Sequence, residues 1–181
     1  NIDNAIAAIM VADQLGIDKM KIRDAVAAFK GVKRRFEYIL KQDDCVMIDD
    51  YAHHPEELRA LIMGVKKLFP DEKCSIVFQP HLYSRTNDHA AGFAEVLGIA
   101  DQVWLLPIYP ARELPMPGVE SEMIAAMMNS EKVKVVSKEM LLTEIAANKP
   151  SLLITAGAGD IDMLIEPIKN VLVDAFKLTN A

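Results

Sequence analysis

The sequence has no apolar run long enough to cross a bilayer. Its first ten residues, NIDNAIAAIM, lack the basic stretch that opens a secretory leader, so no signal peptide is expected. Its longest cluster of basic residues is Lys33-Arg34-Arg35, and the net charge is −6. That argues against nucleic acid as a partner, because phosphate binding needs a concentrated basic surface. There are only two cysteines, Cys45 and Cys74, each inside an apolar segment. They read as buried free thiols in a reducing compartment, not as a disulfide framework. No internal repeat and no low-complexity tract is visible. There is also no initiator Met, and the chain opens at the edge of a helical pattern, so a fragment of a longer protein is expected.

What is present is an ordinary globular composition, 51% hydrophobic and 25% charged, and enough chain for one good core. Residues 2–15 are Ala-rich and apolar at helical spacing, and end at Gly16. Asp18 is placed to cap a second helix over 19–29, so the two read as a helical hairpin. The pattern changes after the basic run. Candidate strands are Phe36–Leu40, Val46–Asp49, Ser75–Phe78, Gln102–Leu106, Val133–Val136 and Leu152–Thr155. Candidate helices cover 56–68, 88–97, 121–129, 138–147 and 161–177. Most of these strands are unbroken apolar runs, which implies cover on both faces. The expected fold is therefore α/β: a mostly parallel, Rossmann-like sheet with flanking helices, preceded by the helical hairpin. The first two strands are joined by four residues, too few for a parallel crossover, and should form an antiparallel hairpin. The ten methionines fall mostly at helical core spacing and read as packing.

In such sheets ligands bind beyond the carboxyl ends of the strands. Four strand ends run into polar clusters: DDYAHHPEE at 49–57, QPHLYSRT at 79–86, PIYPARE at 107–113 and AGAGD at 156–160. In the first, Pro55, Glu56 and Glu57 suit a helix entry. Asp50 reads as a ligand contact, suited to a ribose diol, while Asp49 is balanced between ligand and cap. His53 and His54 are adjacent and so point apart, and no third ligand stands at zinc spacing; no metal site is expected here. His81 and Arg85 suggest an anion site, against the plainer reading of a surface ion pair. GAGD lacks the full spacing of a phosphate-binding fingerprint, and reads as a tight turn with Asp160 as N-cap. Arg34 and Arg35 are either solvated or reach a phosphate.

Taken together, NxxNAxAA at 1–8, GVKRRFE at 31–37, DDYAHHPEE, FQPHLYSRT at 78–86, YPARELPMPG at 109–118 and GAGDI at 157–161 resemble the C-terminal part of the Mur ligase family. The resemblance runs the length of the chain. DDYxHHP with QPHxYSRT points within that family to the activity that joins L-alanine to UDP-N-acetylmuramate. The resemblance implies a three-domain, cytoplasmic, ATP-dependent enzyme of cell-wall precursor synthesis, with Mg2+ ligands in the central domain. It implies that residues 1–31 are the last helices of that central domain and 32–181 the C-terminal domain.

Carried over by motif, Asn1 and Asn4 would belong to the adenine site, and Arg35 would reach the ATP phosphates as the catalytic arginine. Asp50 would hold the ribose. Tyr51, His53, His81 and Arg85 would surround the incoming alanine. Many family members have Arg where this chain has Leu82, which puts a two-arginine carboxylate clamp in question. Arg112 stands where a small residue is common, without explanation. The sequence lacks a GxxGKT-type loop, the central domain's metal ligands and an N-terminal sugar-nucleotide domain. The partners implied are therefore those two domains of the same chain, together with the small substrates, and the fragment is expected to fold without catalysing. The alternatives are the recycling ligase that adds a tripeptide to the same acid and a non-catalytic α/β binding module; folylpolyglutamate synthase shares the architecture, but its motifs are not expected to include DDYAHHP.

Overall fold

Alternate residues of the apolar strands face opposite cores, and this explains why those strands read as unbroken runs. In the computed structural model, which describes residues 2–129 and 131–177, the chain divides into two compact units, one ending at Val32 and the other starting at Lys33. The first holds α1 (Ile2–Gln14) and α2 (Lys19–Ala28). Gly16 turns between them with φ of 70°, a left-handed conformation that costs glycine little. Asp18 caps α2 as expected, accepting from the amides of Met20 and Lys21 at 3.0 and 3.2 Å. No residue of α2 is buried, and Ile9, Met10 and Val26 of the pair are exposed.

The second unit is one six-stranded sheet. Its strands are β1 (Glu37–Lys41), β2 (Val46–Asp50), β3 (Cys74–Phe78), β4 (Gln102–Leu105), β5 (Val133–Val135) and β6 (Leu152–Ala156), in the order β1-β2-β6-β3-β4-β5. The β1–β2 pair is antiparallel, with a register shift between Tyr38 and Leu40; every other pairing is parallel. On one face Ile48, Ile76, Phe78, Leu105 and Ile154 pack against α3 (Pro55–Leu68), α4 (Tyr83–Leu97) and α5 (Ser121–Ala125). On the other, Met47, Val77, Trp104 and Leu153 pack against α6 (Lys138–Asn148) and α7 (Ile165–Lys177). Among the described residues no helix is long and apolar enough to cross a membrane.

Three elements differ from the sequence reading by more than a residue at a boundary. α4 begins at Tyr83 and not at 88, because its first turn is capped from a distant loop, described below. α5 stops at Ala125, where the amides of Met127 and Met128 tighten onto the carbonyls of Ile124 and Ala125, three residues back. The segment expected as one helix over 161–177 is a short 3-10 helix, Asp160–Leu164, followed by α7.

Candidate active site

The four parallel strands β2, β6, β3 and β4 end at one level. Asp50 pairs with Ala156, Ala156 with Phe78, and Phe78 with Leu105. Their outgoing loops are therefore neighbours, and the polar clusters expected at strand ends meet along one edge.

After β2, Asp49 and Asp50 separate in role. Asp49 is buried and faces Arg34, whose Nε lies 3.0 Å from its Oδ2; Thr155 donates to its other oxygen at 2.7 Å. Burial raises the Asp49 carboxyl above its ordinary value, against the hydrogen bonds and charge of Thr155 and Arg34. Arg34 also donates to the Gly157 carbonyl at 2.7 Å and lies over the Tyr51 ring, 5.2 Å from its centroid. It is held on three sides and not solvated, which corrects the solvated reading for Arg34. Asp49 is an internal strut. Asp50 is half-buried and accepts from two backbone amides, Phe36 and Ala52, both at 2.8 Å. Burial raises this carboxyl too, against those amides and the charge of Arg35. Each oxygen keeps a further lone pair, so a ribose hydroxyl can still donate to it. Arg35 itself is exposed.

The two adjacent histidines diverge, as expected. His54 is the N-cap of α3: its ring nitrogen accepts from the Glu56 amide at 3.4 Å, and Glu57 reaches back to the His54 amide at 3.2 Å. This is a capping box with an imidazole in place of a hydroxyl. His53 turns instead towards the strand-end cluster. Its Nδ1 lies 2.9 Å from the Tyr51 carbonyl, and its ring is 5.4 Å from Tyr51 and 6.2 Å from His81.

His81 follows β3 and is flanked by Arg85, whose guanidinium lies 3.3 Å from His81 Nδ1. A guanidinium only donates, so this contact is a hydrogen bond in the neutral tautomer that carries its proton on Nε2. Burial, then the charges of Arg85 and His53, lower the His81 pKa. The Tyr109 ring, from the loop after β4, stacks on His81 at 5.7 Å with an interplanar angle of 20°. Tyr51, His53, His81 and Arg85 are thus brought together, as their sequence positions implied. Asn4 lies exposed on α1 in the first unit, and Asn1 falls outside the described residues.

The GAGD segment after β6 is a close-packed turn. A Cβ on Gly157, where φ is 145°, would stand 2.7 Å from the Gln79 carbonyl oxygen. One on Gly159 would stand 2.5 Å from Gln79 Oε1 and 2.6 Å from Tyr109 Cβ. Both glycines exist to let neighbouring loops approach. Asp160 does not cap the following helix, which corrects the sequence reading. Gln79 Oε1 accepts from the Ile161 amide at 2.8 Å, while the Asp160 carboxylate takes hydrogen bonds from Gln79 Nε2 and Lys138 Nζ. Partial burial opposes ionisation of Asp160, but those two donors outweigh it and hold the carboxyl below its ordinary value. Among the described residues no cluster of three His, Cys, Asp or Glu is placed to hold a metal ion.

Three residues that shape this edge were given no role in the sequence reading: Gln79, Tyr109 and Glu113. Tyr109 and Glu113 lie within the YPARELPMPG motif and Gln79 within FQPHLYSRT, so the signal was position after a strand, without any mark of role.

A family model described as the Mur ligase, glutamate ligase domain matches residues 34–159. A UDP-N-acetylmuramate–L-alanine ligase of Cytophaga hutchinsonii is 50% identical over 169 residues, covering 93% of this chain and 36% of the relative. That of Flavobacterium johnsoniae is 47% identical over 172 residues, covering 95% and 38%. The crystal structure of UDP-N-acetylmuramate-alanine ligase from Thermotoga maritima superposes with a TM-score of 0.72 at 29% identity, over 99% of this chain and 38% of that one. A murein peptide ligase from Psychrobacter arcticus shares the fold, with a TM-score of 0.65 at 24% identity, over 96% of this chain and 36% of that one. The chain spans a little over a third of the length of these relatives.

Proposed function

We propose, since this chain belongs to the Mur ligase family, that it is the C-terminal portion of an ATP-dependent ligase joining L-alanine to UDP-N-acetylmuramate. On this reading residues 1–31 are the last helices of a central ATP-binding domain. The observation that carries the reading is the meeting of Asp50, Tyr51, His53, His81 and Arg85 along one strand-end edge. Its residue types suit a nucleoside and a small zwitterion side by side.

ATP, with Mg2+ held by residues of the other domains, would supply the phosphoryl group that converts the muramyl carboxylate into an acyl phosphate. A free carboxylate is a poor electrophile at neutral pH. The amine of L-alanine then attacks the acyl carbon, and the amide, phosphate and ADP leave. In this chain Asp50 would accept from the ribose hydroxyls, its carboxylate aimed by two amides. Exposed Arg35 would face the phosphates and stabilise charge on the transferred group. Asn1 and Asn4 would serve the adenine. Arg85 would clamp the alanine carboxylate, and Tyr51 would limit the room for its side chain. Leu82 offers no second guanidinium, so the clamp rests on one arginine and on His81 Nε2–H. Neutral His81 can donate there without competing as a cation.

The test is ADP release by the full-length protein with UDP-N-acetylmuramate plus L-alanine, glycine, L-serine or a tripeptide. Turnover with L-alanine supports the reading. Turnover only with the tripeptide moves the protein to the recycling ligase. A well-folded protein inert with all four is a binding module.

A further inference from the structure

α4 carries the candidate amino-acid clamp yet has no N-terminal cap of its own. Leu82 occupies the cap position with φ of 71° and offers no polar side-chain atom. The orphan donors of the first turn need an acceptor from elsewhere. Glu113, from the loop after β4, supplies it. One carboxylate oxygen accepts from the Ser84 amide at 2.9 Å, and the other from the Ser84 hydroxyl. A carboxylate at a helix N-terminus is also favoured by the helix dipole. The rest of this loop is bound along the same stretch. The Tyr109 amide donates to the Pro80 carbonyl at 2.8 Å, and the Leu82 amide donates to the Tyr109 carbonyl at 2.9 Å. The Glu113 amide closes its own turn onto Pro110 at 2.9 Å. The loop is thus fastened at Pro80, Leu82 and Ser84, and the residues left facing the strand-end cluster include His81 and Arg85.

We infer that Glu113 is a positioning residue for the amino-acid subsite: by capping α4 from outside, it fixes the Arg85 guanidinium against His81. The inference rests on the ligase reading above. A guanidinium held in one place loses less freedom when it takes a carboxylate, so the effect falls on substrate affinity. Glu113 also completes the charge around His81. The groups facing that imidazole are Arg85 from α4, His53 from the loop after β2, the Tyr109 ring and Glu113. Of the charged ones, only Glu113 favours the protonated imidazole.

The experiment uses the full-length protein, wild type against Glu113→Ala and Glu113→Gln. It measures KM for L-alanine and for ATP, kcat, and the His81 imidazole titration by NMR. Glu113→Ala should raise the L-alanine KM roughly tenfold, with little change in ATP KM or kcat. Its His81 midpoint should fall, because the one favourable charge is gone. Glu113→Gln keeps an acceptor for the Ser84 amide, so it should restore most of the KM while leaving the His81 midpoint low. An unchanged L-alanine KM and His81 titration in Glu113→Ala would overturn the inference, as would equal losses in both KM values. If the wild type does not turn over at all, the ligase reading fails. The His81 titration then still decides whether Glu113 acts on this cluster, and an unmoved midpoint refutes it.

Discussion

Replacing Arg34 by Met should unfold the sheet domain more than its position in a basic surface run suggests. The guanidinium side chain is 13% exposed and its partner Asp49 is 1% exposed. Removing one member of a buried pair leaves an uncompensated charge and costs about 3–5 kcal/mol. Arg34 keeps some contact with water, so the low end of that range applies. The Gly157 carbonyl also loses its donor, worth about 1 kcal/mol. The expected loss is about 4 kcal/mol at neutral pH, close to a thousandfold in the folded-to-unfolded ratio. Trp104 is the only tryptophan and is fully buried in this domain, so its fluorescence in a urea titration reads this unit alone.

The sign of the pH dependence follows from Asp49. Its folded pKa already lies above the ordinary 3.8, and Arg34 is one of the groups that hold it down. Without Arg34 it rises further. A raised folded pKa gives stability that is present below the unfolded pKa and lost as pH rises through the folded value. The deficit of the variant should therefore shrink as pH falls from about 8 towards about 5. Adding Asp49→Asn removes the stranded charge and should recover much of the loss. A deficit under about 1 kcal/mol, or one that does not change with pH, would refute the argument.

Two glycines make opposite predictions. Gly64 lies inside α3, and a Cβ added there would meet nothing within 4 Å. Gly64→Ala should therefore stabilise the domain by about 0.5–1 kcal/mol in the same titration. Gly159→Ala drives a methyl into Gln79 and Tyr109 and should cost about 1–3 kcal/mol. The thiols of Cys45 and Cys74 are both pushed up to about 11, chiefly by burial. At about pH 8 an aromatic disulfide reagent should label neither in the folded chain and both in urea; rapid labelling without denaturant would contradict their burial.

How much of this was legible depended on the range over which each signal acts. The strands 46–49, 75–78 and 152–155 could be read because burial on both faces leaves an unbroken apolar run. The β1–β2 hairpin followed from a join too short for a crossover. Asp18 capped its helix because donor and acceptor lie within three residues. The start of α4 could not be read in the same way. Its cap, Glu113, lies 29 residues from Ser84. The same holds for Ile161, whose amide is satisfied by Gln79, 82 residues away, so Asp160 was given a role that belongs elsewhere. Asp49 and Asp50 look alike in sequence. Alternation along the strand sends one into the interior to meet Arg34 and leaves the other at the edge. The cluster of Tyr51, His53, His81 and Arg85 was legible through topology and family motif together. Tyr109, which closes it, stood in a family motif and after a strand, but nothing there marked its role.

The central claim is that nucleotide and amino acid meet at this one edge through different residues. The most direct measurement is the steady-state KM of ATP and of L-alanine for the full-length protein carrying Asp50→Asn or Arg85→Met. The account predicts that Asp50→Asn raises the ATP KM and spares that of L-alanine, while Arg85→Met does the reverse. Either variant leaving both constants at the wild-type value, or the two effects exchanged, would contradict it.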